Sequence, residues 1–175
     1  CVITMANKVV IVGPKKPAIG GIASIVSMIE EGVSSNTDIS YLNTTKSASL
    51  LKRFIRPFNY IFKILMVNSQ KVIIFSSGFM SFWERSVWGY VLSKKGIKPY
   101  VVMIAGDFPY FYDGLLNVQK TFLKFLNKET VFVAQSPHWM DYYQSIFPSN
   151  IILQISGGVD ADFFIPAVKK NEKNS

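Results

Sequence analysis

"VVIVGPKKPAIGGIASIV", Val9 to Val26, joins two different periodicities through one turn. Val9–Val12 is an uninterrupted β-branched and apolar run, as a strand covered on both faces requires, and Gly13-Pro14 stops it. From Ile22 the apolar residues Ile22, Ile25, Val26 and Ile29 fall three and four apart, the spacing of one helix face. Strand, loop and helix follow in that order. In open α/β sheets ligands sit at such strand ends, where a helix N-terminus offers free N–H groups and positive dipole to an anion. Gly20 and Gly21 stand directly before the helix, either as a loop that lets a phosphate approach the backbone or as a tight turn needing positive φ. The spacing is neither G-x-G-x-x-G nor a P-loop followed by G-K-S/T.

The same alternation runs along the chain. Strands are expected at Val9–Val12, Ile39–Leu42, Val72–Ser76, Tyr100–Ile104, Val131–Ala134 and Ile151–Ile155, with helices at 22–33, 50–67, 82–95, 115–127 and 138–146. This pattern implies a Rossmann-like three-layer α/β domain, its central parallel sheet linked by right-handed crossovers. Ser81 and Glu84 read as a capping box for the third helix, and Gly96 as its stop. Ser136-Pro137 reads as an N-cap with proline at the first helical position. Residues 1–7 form an extension or the lead into the first strand, with Met5 as a natural start. Residues 8–166 form the domain, and 167–175 a polar, lysine-rich tail.

With 175 residues, the chain fits one domain, and no apolar run approaches the ~20 residues of a membrane span. One cysteine, Cys1, excludes a disulfide framework and a cysteine metal cluster, which fits a cytoplasmic protein. Nineteen Lys and Arg against eleven Asp and Glu give +8, a charge that favours nucleic acid, anionic lipid or a phosphorylated substrate as partner. No nucleic-acid recognition motif accompanies it, so nucleic acid is not expected.

Three segments could carry chemistry. "MIAGDFPYFYDG", Met103–Gly114, places Gly106, Asp107, Tyr110 and Tyr112 after the fourth strand. Aromatic faces there would pack against a sugar ring while Asp107 accepts its hydroxyls, or the loop packs on its own aromatics. His138, the one histidine, stands at a helix start and reads as a surface or capping residue; nothing in the sequence makes a metal site. "KSASLLKRFIRPFNYIFKILMV", Lys46–Val67, carries an apolar stripe of Leu50, Leu51, Phe54, Ile55, Phe58, Ile61, Phe62 and Leu65. Lys52, Arg53, Arg56, Asn59 and Lys63 take its other side, and Pro57 interrupts it. Such a helix covers the sheet, and its basic and aromatic residues suit an anionic membrane surface as well.

"ILQISGGVDADFFIP", Ile152–Pro166, resembles the segment that closes the N-terminal domain of group 1, family 4-type retaining GT-B glycosyltransferases, written I-P-N-G-V-D-x-x-x-F-x-P. Gly158, Val159, Asp160, Phe164 and Pro166 match, while Ser156 and Gly157 replace Pro and Asn. "GPKKPAIGGIA" is similar to the Gly-Gly loop after that family's first strand, and Ser81–Gly114 to its third helix, fourth strand and acceptor-side loop. Met103 and Ala105 stand where H-x-H-G is frequent in the family. The resemblance implies the acceptor-binding half of a retaining hexosyltransferase of polysaccharide biosynthesis, inactive without a C-terminal donor-binding domain or subunit. Its donor would be a nucleotide sugar, its acceptor a glycan or lipid-linked sugar, with no cofactor or obligatory metal. Gly20 and Gly21 would then approach the donor phosphates, and Gly106, Asp107, Tyr110 and Tyr112 the acceptor, with Asp107 the catalytic candidate. The implied location is cytoplasmic, peripheral on the inner face of the plasma membrane through Lys52, Arg53, Arg56 and Lys63. The alternative is a non-catalytic membrane-binding or recruiting subunit of a split transferase.

Overall fold

The computed structural model describes residues 8–14, 22, 25, 26, 29, 38–44, 60–69, 71–76, 80–104 and 106–155. Six strands, β1 (Val9–Gly13), β2 (Ile39–Asn43), β3 (Lys71–Ser76), β4 (Lys98–Met103), β5 (Val131–Ala134) and β6 (Ile152–Gln154), form one sheet in the order β2-β1-β3-β4-β5-β6. Every pairing is parallel. The expected Rossmann-like α/β architecture is therefore the fold. Helical residues Ile22, Ile25, Val26 and Ile29 belong to α1, and residues 60–65 to α2. They are followed by α3 (Met80–Lys94), α4 (Phe108–Asp113), α5 (Asn117–Leu126) and α6 (Pro137–Ile146).

Side-chain alternation divides the core between the two faces of the sheet. Val10, Val12, Val72, Ile74, Val101 and Phe132 point to one face, where Ile64, Phe82, Trp88, Leu92, Leu123, Tyr143 and Phe147 cover them. Ile11, Ile73, Phe75 and Val102 point to the other, against Ile22, Ile25, Val26 and Ile29 of α1. A Cβ at Gly13 would meet the Phe75 side chain at 3.4 Å and Val26 Cγ2 at 3.6 Å, so the small residue that ends β1 lets α1 close on the sheet.

Chain direction fixes which strand ends share an edge. β1 steps outward to β2, and the chain then returns past β1 to β3, so the sheet is wound both ways from the β1–β3 pair. In open α/β sheets such a switch point is where ligands bind, outside the carboxyl ends of the strands. Because all strands are parallel, the ends after Gly13, Ser76, Met103 and Ala134 share that edge.

Three local expectations change. The segment after β4 is a helix, α4, because Phe108, Phe111 and Tyr112 are three and four apart and enter the core together. Ser81 lies inside α3, which already includes Met80, so it is not the N-cap. In α2 the buried residue is Ile64, with Tyr60, Ile61 and Val67 packed beside it, while Phe62 and Leu65 of the expected stripe face solvent with Lys63 and Met66. Tertiary contacts set that rotation. Tyr60 donates its hydroxyl hydrogen to the Asn43 carbonyl at 2.9 Å and packs its ring 5.4 Å from Trp88, and Lys95 Nζ donates to the Leu65 and Val67 carbonyls. Other signals hold as expected. Gly96 has φ 76°, and Ser136 Oγ accepts from Trp139 N at the start of α6.

Candidate functional site

The segment after β4 begins at the C-terminal edge of the sheet. Ile104 N donates to Ser76 O at 3.0 Å, which holds the exit of β4 beside the end of β3. Two residues on, Gly106 and Asp107 are exposed, and a side chain at Gly106 would meet open space. Asp107 is the N-cap of α4 with φ −90° and ψ 2°; its carbonyl accepts from Phe111 N at 3.2 Å, but its carboxylate makes no capping bond. That carboxylate is left facing solvent as an acceptor for hydroxyl or N–H donors.

The two tyrosines of the expected platform separate. Tyr110 is 83% exposed, three residues from Asp107 and thus on the neighbouring turn position. Tyr112 is buried, its ring 6.0 Å from Phe108 and 6.2 Å from Phe147. Burial, reinforced by the negative charge of Asp113, raises the Tyr112 pKa, and the same two causes with Tyr112 itself push Tyr142 up to about 12. Of this pair only Tyr110 offers an open ring face to a ligand.

One charged residue of this edge was not foreseen. Arg85, on the second turn of α3, is 4% exposed. Its Nη2 donates to Thr44 Oγ1 at 3.2 Å, its guanidinium carbon lies 4.0 Å from the Trp88 ring centroid, and Nη1 is 3.9 Å from Glu84 Oε2. Thr44 N in turn donates to Gly13 O at 3.0 Å, so the guanidinium is tied to the ends of both β1 and β2. The sequence does carry its signal: Phe82, Arg85, Gly89 and Leu92 share one helical face, and a lone arginine on an apolar stripe must find buried partners.

His138 is exposed in the first turn of α6, its ring 5.8 Å from Trp139. Among the described residues no group of His, Cys, Asp and Glu could hold a metal ion. Gly20, Gly21, Lys52, Arg53, Arg56 and the Gly158–Pro166 motif lie outside the described residues, whereas Lys63 is exposed on α2. No helix among the described residues is long and apolar enough to cross a membrane. No family model matches the chain, and neither a curated protein nor a solved structure matches it.

Proposed function

We propose that this chain is the acceptor-binding half of a retaining glycosyltransferase that takes a sugar from a nucleotide sugar to a glycan or lipid-linked acceptor. The observation that carries the reading is that the β1 end and the exposed Gly106–Asp107–Tyr110 segment lie at the same C-terminal edge of a doubly wound parallel sheet. A sugar lying on the Tyr110 ring would present hydroxyls to the Asp107 carboxylate one helical turn away, the usual division between apolar ring face and polar rim. By the sequence resemblance alone, Gly20 and Gly21 would serve the donor phosphates, which a second domain or subunit would bind. The sequence resemblance supplies the reaction class, and the basic balance of +8 suits phosphate-bearing substrates.

A transfer assay tests it, using a panel of nucleotide sugars and a short prenyl diphosphate carrying one N-acetylhexosamine. The 175 residues alone should turn nothing over, and the complete product of the reading frame, carrying a donor-binding α/β domain, should be active. In that product Asp107→Asn and Tyr110→Ala should each lower acceptor kcat/KM about tenfold, as loss of one charge-assisted hydrogen bond or one stacking face does, with donor KM unchanged. Turnover by the 175 residues alone contradicts the reading. A reading frame without a second α/β domain favours the recruiting-subunit alternative.

A further inference from the structure

The outer surface of the helical layer over β3–β5 is apolar where an ordinary domain is polar. On α5 the residues Val118, Phe122 and Phe125 lie at i, i+4 and i+7, one ridge of the helix, and are 71%, 51% and 54% exposed. The buried face of the same helix is made by Leu123 and Leu126, so the ridge is not its sheet-facing side. α3 continues the surface. Trp83 stacks on Phe122 at 6.1 Å, Phe122 on Phe125 at 6.4 Å with an interplanar angle of 17°, and Tyr90 packs against Phe125 at 5.4 Å. Four rings therefore run in a row across two helices, two of them more than half exposed.

Basic residues outnumber acidic ones around this row. Lys94 sits over the Tyr90 ring at 5.2 Å, and Lys124 and Lys128 are exposed along and just past α5. Within Asn117–Leu126 there is no acidic residue; Asp113 and Glu129 lie beyond its two ends, and Glu84 on α3 faces Arg85. Protein–protein contacts are depleted in lysine, while a lipid interface favours it: Phe and Val enter the acyl boundary, Trp and Tyr occupy the headgroup level, and lysines reach anionic phosphates.

We infer that the α3–α5 face, centred on Trp83, Phe122 and Phe125 and edged by Lys94, Lys124 and Lys128, docks on the surface of an anionic lipid bilayer. Its residues are other than those of the Lys46–Lys63 segment, and it does not depend on which reaction the protein serves. It would set the sheet at a fixed orientation to the membrane, with the helical layer toward lipid.

The experiment is partitioning of the 175-residue chain onto vesicles of phosphatidylcholine with and without about one-third phosphatidylglycerol, read by co-sedimentation and tryptophan quenching with brominated lipid. Of the three tryptophans, Trp88 is buried and Trp139 lies on α6, so quenching should be lost in Trp83→Phe. Phe122→Gln with Phe125→Gln should weaken partitioning about tenfold or more, as two lost apolar insertions require. Lys124→Gln with Lys128→Gln leaves every packed ring in place and should weaken it by about tenfold on anionic vesicles only. Undiminished binding by both double variants overturns the proposal. So does binding lost only when Lys52, Arg53, Arg56 and Lys63 become Gln, which would leave the transferase reading intact. Self-association of the chain that needs Phe122 and Phe125, without vesicle binding, also overturns it by assigning the face to a second copy.

Discussion

Arg85 shows how much one residue can hold at this sheet edge. Its guanidinium joins Thr44, Glu84 and the Trp88 ring away from water, and removing it empties a buried site and takes the bond from the buried Thr44 hydroxyl. Arg85→Ala should therefore cost about 3 kcal/mol or more of unfolding free energy in a urea titration. Arg85→Lys should recover only part of it, because lysine keeps the charge but not the planar fork. The tyrosines make a pH prediction. Tyr142, raised to about 12, keeps its proton in the folded protein while an unfolded tyrosine loses it near the ordinary value of 10. Because the folded state holds protons that the unfolded state has lost, stability is full below about pH 10 and falls as pH rises through 10 toward 12. Phenolate absorbance should show a late-titrating class, and thermal unfolding should shift down across the same window. Asp107 and Tyr110 stand exposed at the exit of β4, where α/β packing needs neither an acid nor a large ring. Tyr112 misled, since period alone does not say which of two nearby tyrosines turns inward.

At the scale of elements, punctuation was readable and rotation was not. Gly96 after Lys94 and Lys95 marked the end of α3, and its φ of 76° makes that a left-handed C-cap. A Cβ there meets nothing, so Gly96→Ala should cost only the backbone strain, about 1 kcal/mol, with a lowered Tm and no change in fold. The short helix α4 escaped because a glycine, a proline and polar ends look like a loop, while its drive to fold is the insertion of Phe108 between Phe82, Tyr143 and Phe111. In α2 the stripe read from periodicity places Phe62 and Leu65 inward, yet the Tyr60–Asn43 and Lys95 bonds turn Ile64 to the core instead. A carbonyl seventeen residues away or a lysine thirty residues away leaves no trace in a local pattern. The consequence is testable: Ile64→Ala should cost about 2–5 kcal/mol in chemical denaturation, and Phe62→Ala much less.

For the whole molecule, the strand alternation was sufficient to give a parallel sheet, because continuous β-branched runs separated by helical spacing have few other solutions. The strand order was not written in it, and the order is what brings the β1 end, Thr44, Arg85 and the Gly106–Tyr110 segment to one edge. Under the proposed function this edge receives the acceptor. The direct measurement is backbone amide NMR of the isotopically labelled chain titrated with the prenyl diphosphate-linked N-acetylhexosamine. Saturable shifts should gather at Gly13, Gly106, Asp107 and Tyr110 and disappear in the Tyr110→Ala, Asp107→Asn double variant. Shifts confined to the opposite edge, at Ser69 and Asn127–Thr130, or none at millimolar probe, would contradict it.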